Sequence, residues 1–124
     1  MKKIMIVDDE LHIRLLLKHT LEDIEEEGVL LLTADNGEDA LETITKESPE
    51  LVFLDVMMPG LNGFEVCDAV KHVMGMKEVY IVMLTAKGQA FDKRRGMDVG
   101  ADVYITKPFN PDEILNMARE ILEI

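Results

Sequence analysis

Three aspartates, a threonine and a lysine stand out in this 124-residue sequence because each ends, or directly follows, a short apolar run. "IMIV" leads into Asp8 and Asp9, "LVFL" into Asp55, "YIVML" into Thr85 and "VYIT" into Lys107. Carboxylates gathered about 5 Å apart, at an effective dielectric near 20, repel by roughly 3 kcal/mol per pair. Their convergence therefore calls for positive charge. Lys107 supplies part of it, and a hard divalent cation supplies it better, because magnesium favours oxygen ligands, accepts a few carboxylates and keeps positions for water or phosphate oxygens. A carboxylate beside a metal, an ammonium and a hydroxyl is equipped for phosphoryl transfer: one nucleophile, two charge stabilisers and one hydrogen-bond donor. Asp55 is the candidate acceptor.

Side chains so far apart in the chain meet only if the apolar runs lie side by side with their carboxyl ends on one edge, where an open parallel sheet binds its ligands. Ile4 to Val7, Leu30 to Leu32, Leu51 to Leu54, Tyr80 to Leu84 and Val103 to Ile105 read as five such strands. Their continuous apolarity implies cover on both faces. Over Glu10 to Glu26, Ile13, Leu16, Leu17, Leu21 and Ile24 recur at helical spacing until Gly28. Asn36 caps a second helix carrying Ala40, Leu41 and Ile44 and stopped by Ser48 and Pro49; a third repeats Phe64, Cys67, Val70 and Met74 before Gly75. Asn110, Pro111 and Glu113 give a cap, a first-turn proline and a box-like partner to a last helix with Ile114, Leu115, Ala118 and Leu122 on one face. "KGQAFDKRRGMDVGAD" is the weakest stretch: Phe91, Met97 and Val99 are its main anchors, and Gly96 costs roughly 1 kcal/mol against alanine. A marginal, mobile fourth helix is expected there. Strands alternating with helices place the chain in the α/β class, as a doubly wound five-stranded parallel sheet with right-handed crossovers and helices on both faces.

Composition narrows the function. With 48% hydrophobic and 31% charged residues, the chain suits one globular domain. Lysine and arginine number 13 against 25 aspartates and glutamates, a formal charge of -12, which argues against a nucleic-acid partner. The single cysteine, Cys67, excludes an internal disulfide, and its place on an apolar helical stripe implies a buried, inert thiol. "MKKIMIVDDE" reaches a charge pair too early for a secretory segment, and no run approaches a membrane span, so a cytoplasmic location is expected.

"VDDE", "LDVMMPGLNG", "LTAKG" and "YITKPF" occur in one order and spacing, and together they resemble the receiver domain of bacterial response regulators over essentially the whole chain. The resemblance implies a flavodoxin-like, CheY-like sheet of order 2-1-3-4-5. It also implies that Asp55 accepts a phosphoryl group from a sensor histidine kinase of a two-component system. Magnesium would be held by Asp8, Asp9, Asp55 and the backbone carbonyl of Met57; Thr85 and Lys107 would each bind a phosphoryl oxygen. Tyr104 resembles the family's aromatic switch, which turns inward as Thr85 moves, and the Lys107 to Pro108 peptide is cis in such domains. Met57 and Lys87 flank the path of an attacking water, and an apolar Met57 implies slow self-hydrolysis. Leu15 and Leu16 on helix one, with Pro108 and Phe109 after strand five, are the expected kinase-docking residues. Gene-regulating members carry an output domain after the receiver. Here residues 1–124 read as the receiver alone, so a stand-alone regulator is expected, acting on an unidentified downstream protein or a phosphorelay partner, without a DNA-binding module or membrane contact.

Two other readings compete. A magnesium-dependent phosphatase forming an aspartyl phosphate usually has a second aspartate two residues after its nucleophile as general acid, and here that position is Met57. No enzyme activity is therefore expected beyond the protein's own phosphorylation and dephosphorylation. An inactive receiver-like binding module would have lost a member of the set Asp8, Asp9, Asp55, Thr85 and Lys107, and all five are present.

Overall fold

The structure, a computed structural model, describes residues 1–86 and 97–124. The expected fourth helix lies mostly outside the described residues, as do Lys87, Phe91 and Gly96. Strands β1 (Lys3–Val7), β2 (Leu30–Ala34), β3 (Leu51–Asp55), β4 (Tyr80–Ala86) and β5 (Val103–Lys107) form one parallel sheet in the order β2-β1-β3-β4-β5. Pairing carries four strands, β2 to β5, past their apolar runs, because backbone hydrogen bonds take no account of side-chain polarity. Asp55 stands opposite Leu84, Thr85 opposite Thr106 and Ala86 opposite Lys107. The polar residues therefore belong to the strand ends themselves.

Alternation along each strand sorts the core into two layers. Met5, Val7, Val52, Leu54, Ile81 and Met83 face α3 (Gly37–Glu47) and α4 (Gly63–Asp68). Ile4, Ile6, Leu51, Phe53, Val82 and Leu84 face α1 (Leu11–Thr20), α2 (Glu22–Glu26) and α5 (Pro111–Leu122). Asn36 caps α3 by accepting from the Asp39 amide at 2.8 Å, and Asn110 caps α5 through the Asp112 amide at 2.9 Å. Both caps fall where the sequence placed them.

Three expectations are corrected. The single helix over Glu10 to Glu26 is two, broken at Leu21, whose φ of -98° and ψ of 8° leave the helical region. The Thr20 hydroxyl donates to the Leu16 carbonyl at 2.8 Å, a back-bond that bends helices, and the acidic residues that follow oppose the negative end of the helix dipole. Leu16, read as part of the core stripe, is exposed; Ile13, Leu17, Leu21 and Ile24 fill that layer without it. The third helix changes form midway, α4 passing into a π turn over Ala69–Val73 closed by the Met74 amide donating to the Ala69 carbonyl at 2.8 Å.

Candidate functional site

At the carboxyl edge of the sheet the ends of β1, β3, β4 and β5 bring together Asp8, Asp55, Thr85 and Lys107. The Lys107 ammonium donates to Asp8 Oδ2 at 2.8 Å and to Asp55 Oδ1 at 3.1 Å. Asp8 is held at every polar atom. Its amide donates to the Ala34 carbonyl, its carbonyl accepts from Arg14 at 2.7 Å, and its Oδ1 accepts from the Glu10 amide at 2.9 Å. Asp8, Asp55 and Thr85 are all buried, Asp55 to 4% exposure.

The turn after β3 is shaped around Asp55. Gly60 sits in the left-handed region at φ +71°, and a Cβ on Gly63 would stand 2.2 Å from the Asp55 carbonyl oxygen. Only glycine lets α4 start this close to the strand. Its first turn is fixed by a capping box between Asn62 and Glu65.

The electrostatics are unbalanced. Burial, then the charge of Asp8, lifts the Asp55 carboxyl to about 7 against the partial opposition of Lys107, and Asp9 adds to the rise. For Lys107, burial works to lower the ammonium, but the Asp8 hydrogen bond and the charges of both aspartates outweigh it and hold it above its ordinary value. The shorter bond goes to Asp8, so one ammonium serves two buried carboxylates and neutralises one. Asp9 and Glu10 are exposed beside them, and the carboxylates of Asp8, Asp9 and Glu10 present oxygens within 4.8 Å of one another. An all-oxygen, net-negative donor set with an exposed side suits magnesium. Asp8 and Asp9 belong to this cluster, and Asp55 is tied to Asp8 through the ammonium of Lys107.

The remaining expected residues scatter around this centre. Met57 lies two residues past Asp55 with an exposed side chain. Tyr104 is half-buried on β5, packed against the layer that carries α3 and α4, with its hydroxyl oxygen buried. The Lys107 to Pro108 peptide is cis; Pro108 is exposed, and Phe109 packs against the layer that carries α1 and α5. Leu15 and Leu16 project from α1 into solvent, joined by Leu11, which the sequence reading passed over: Leu11 and Leu15, one helical turn apart, are 59% and 54% exposed. Glu10 and Arg14 were also passed over. The third consecutive acid of "VDDE" was a signal for Glu10, whereas Arg14 acts on a backbone carbonyl, which leaves no mark in sequence. Cys67 is buried as expected, its thiol pushed up to about 12 by burial.

A family model described as the response regulator receiver domain matches residues 4–119. The chain is 46% identical over 122 residues to the alkaline phosphatase synthesis transcriptional regulatory protein PhoP of Bacillus subtilis, a match covering 98% of this chain and 48% of that protein. It is 38% identical over 113 residues to the protein PilG of Pseudomonas aeruginosa, covering 91% of this chain and 82% of that one. Among solved structures, the chemotaxis protein CheY4 of Vibrio cholerae aligns with a TM-score of 0.84 at 36% identity over 98% of both chains. The chain thus spans about half the length of PhoP and of the ycf27 transcriptional regulators it also matches.

Proposed function

The chain belongs to the response regulator receiver family, and from that premise we propose that Asp55 is its phosphoacceptor, charged by the phosphohistidine of a sensor histidine kinase. The observation that supports this most is the pair of buried carboxylates, Asp8 and Asp55, sharing the Lys107 ammonium at the carboxyl edge of the sheet. An Asp55 carboxylate oxygen attacks phosphorus and the phosphorus–nitrogen bond breaks. The imidazole keeps the electron pair and takes a proton from water. Magnesium held by Asp8, Asp9, Asp55 and the Met57 carbonyl would offset the negative charge of the incoming phosphoryl group. Lys107 binds one phosphoryl oxygen and Thr85 another.

An acyl phosphate adds close to two negative charges where Asp55 was already crowded. Drawing Thr85 toward it opens space into which Tyr104 turns, and a bias of a few kcal/mol is enough to exchange the dominant state. The switched surface then signals to a downstream protein or passes the phosphoryl group on. We place these events in the cytoplasm and assign the protein no substrate besides its own aspartate. The phosphatase reading has nothing in its favour, since an exposed methionine stands where its general acid would be.

The kinase approaches over α1 and the segment after β5, which lie on the same face of the sheet. Leu15 and Leu16, extended by Leu11 and joined by Pro108 and Phe109, form the docking surface. Borohydride reduction of protein phosphorylated by its kinase, followed by peptide mapping, should find homoserine at position 55. Label on a histidine or serine would overturn the assignment. Leu15→Asp should slow transfer from the kinase roughly tenfold, the loss of one buried apolar anchor, and leave acetyl phosphate unaffected. Equal losses with both donors would remove Leu15 from the docking surface.

A further inference from the structure

Among the described residues, one buried cation lies away from this site. Lys71, in the π turn, is 5% exposed. Its ammonium donates to the Val79 carbonyl at 2.6 Å, to the Lys77 carbonyl at 3.2 Å and to Asp102 Oδ2 at 2.8 Å. A lysine is seldom buried unless paired, and a π turn often marks a functional position. Here the extra residue of the π turn accompanies a buried lysine whose ammonium meets two carbonyls and a carboxylate.

The partner explains why this matters. Asp102 is the residue immediately before β5. Its Oδ2 also accepts from the Ile81 amide at 2.8 Å, and its own amide donates to the Ile81 carbonyl at 2.9 Å. The approach to Asp102 is held from the same helical segment: a Cβ on Gly100 would lie 3.2 Å from Lys71 Cβ, and the Cys67 thiol reaches the Val99 carbonyl at 3.5 Å. From this clamp β5 runs five residues, paired among the described residues with β4 alone, and its last residue is Lys107. A shift of one residue in such a strand turns every side chain to the opposite face.

We propose that Lys71 is a positioning residue for Lys107: by fixing Asp102 against Ile81 it sets where β5 begins, and so holds the Lys107 ammonium between Asp8 and Asp55. The inference rests on the phosphoacceptor reading for its effect on rate, though not for its effect on β5. Asp8 and Asp9 follow β1 and Asp55 ends β3, so the clamp acts on that edge through Lys107.

The test uses Lys71→Met and Lys71→Arg, each shown to be folded at the assay temperature. Amide hydrogen exchange across β5 should quicken in Lys71→Met and be largely restored in Lys71→Arg. The rate of phosphorylation by acetyl phosphate should fall about tenfold in Lys71→Met, as expected for a displaced charge stabiliser. In a Lys107→Ala background, Lys71→Met should cost nothing further. A folded Lys71→Met with unchanged exchange, or a loss that persists in full without Lys107, overturns the proposal. Should Lys71→Met not fold, Asp102→Asn, which weakens the charge pair while keeping the Ile81 contact, is held to the same outcomes. A wild-type protein that takes no phosphate would defeat the phosphoacceptor reading instead, and the exchange comparison would still decide the role of Lys71.

Discussion

Burial, and after it the charge of Asp8, lifts Asp55 to about 7, and Lys107, shared between the two carboxylates, offsets this only in part. The consequence for stability has a definite sign. In the unfolded chain the carboxyl ionises near 4, whereas in the metal-free folded protein it keeps its proton up to about 7. Between those values the folded state binds the proton more tightly, so the contribution of Asp55 is fully present below the window and is lost as pH rises through it. Asp55→Asn should therefore raise the melting temperature more at pH 8 than at pH 5, by an amount reflecting a few kcal/mol at the higher pH. Melts in chelator-treated buffer read this, and an equal shift at both pH values would contradict it. Magnesium should narrow the gap between wild type and variant. Asp8, Asp9, Asp55, Thr85 and Lys107 were legible in sequence because each closes an apolar run. Glu10, the third acid of "VDDE", carried a signal that its place at a helix start obscures, and Arg14 carried none, since it holds a backbone carbonyl.

Among the elements, α4 starts against the acceptor strand only because position 63 lacks a side chain. Gly63→Ala would place a methyl 2.2 Å from the Asp55 carbonyl oxygen and 2.9 Å from Val56 Cα, a clash with backbone that no rotamer change relieves. The variant should lose roughly 2–4 kcal/mol in urea unfolding and take phosphate more slowly even where it is folded. A loss under about 0.5 kcal/mol, the range of ordinary surface changes, would show that α4 is not braced there. Strand count and two caps could be read from runs of apolar residues and from Asn36 and Asn110, whereas the strand order was implied by the family resemblance alone. The break at Leu21 could not, because Thr20, Leu21 and Glu22 include neither glycine nor proline and the bend arises from a side-chain hydrogen bond. The π turn was equally hidden: Val70 and Met74 keep ordinary helical spacing, and the wider turn shows in the Met74 amide reaching back five residues to the Ala69 carbonyl.

For the whole molecule, a formal charge of -12 on 124 residues makes the folded state self-repelling at low ionic strength. Raising sodium chloride to roughly 0.5 M shortens the screening length to about 4 Å, which should raise the melting temperature by a few degrees; a fall would mean that exposed pairs such as Arg119 with Glu27 outweigh the repulsion. The proposed metal and phosphoryl chemistry rests on a small part of that surplus, the carboxylates of Asp8, Asp9, Glu10 and Asp55 around the one ammonium of Lys107. Intact mass after incubation with acetyl phosphate, with and without magnesium and alongside Asp55→Asn, tests that account most directly. It predicts a phosphate-sized gain in the wild type that disappears when either Asp55 or magnesium is removed. A gain that survives in Asp55→Asn, or in chelated wild type, would contradict it.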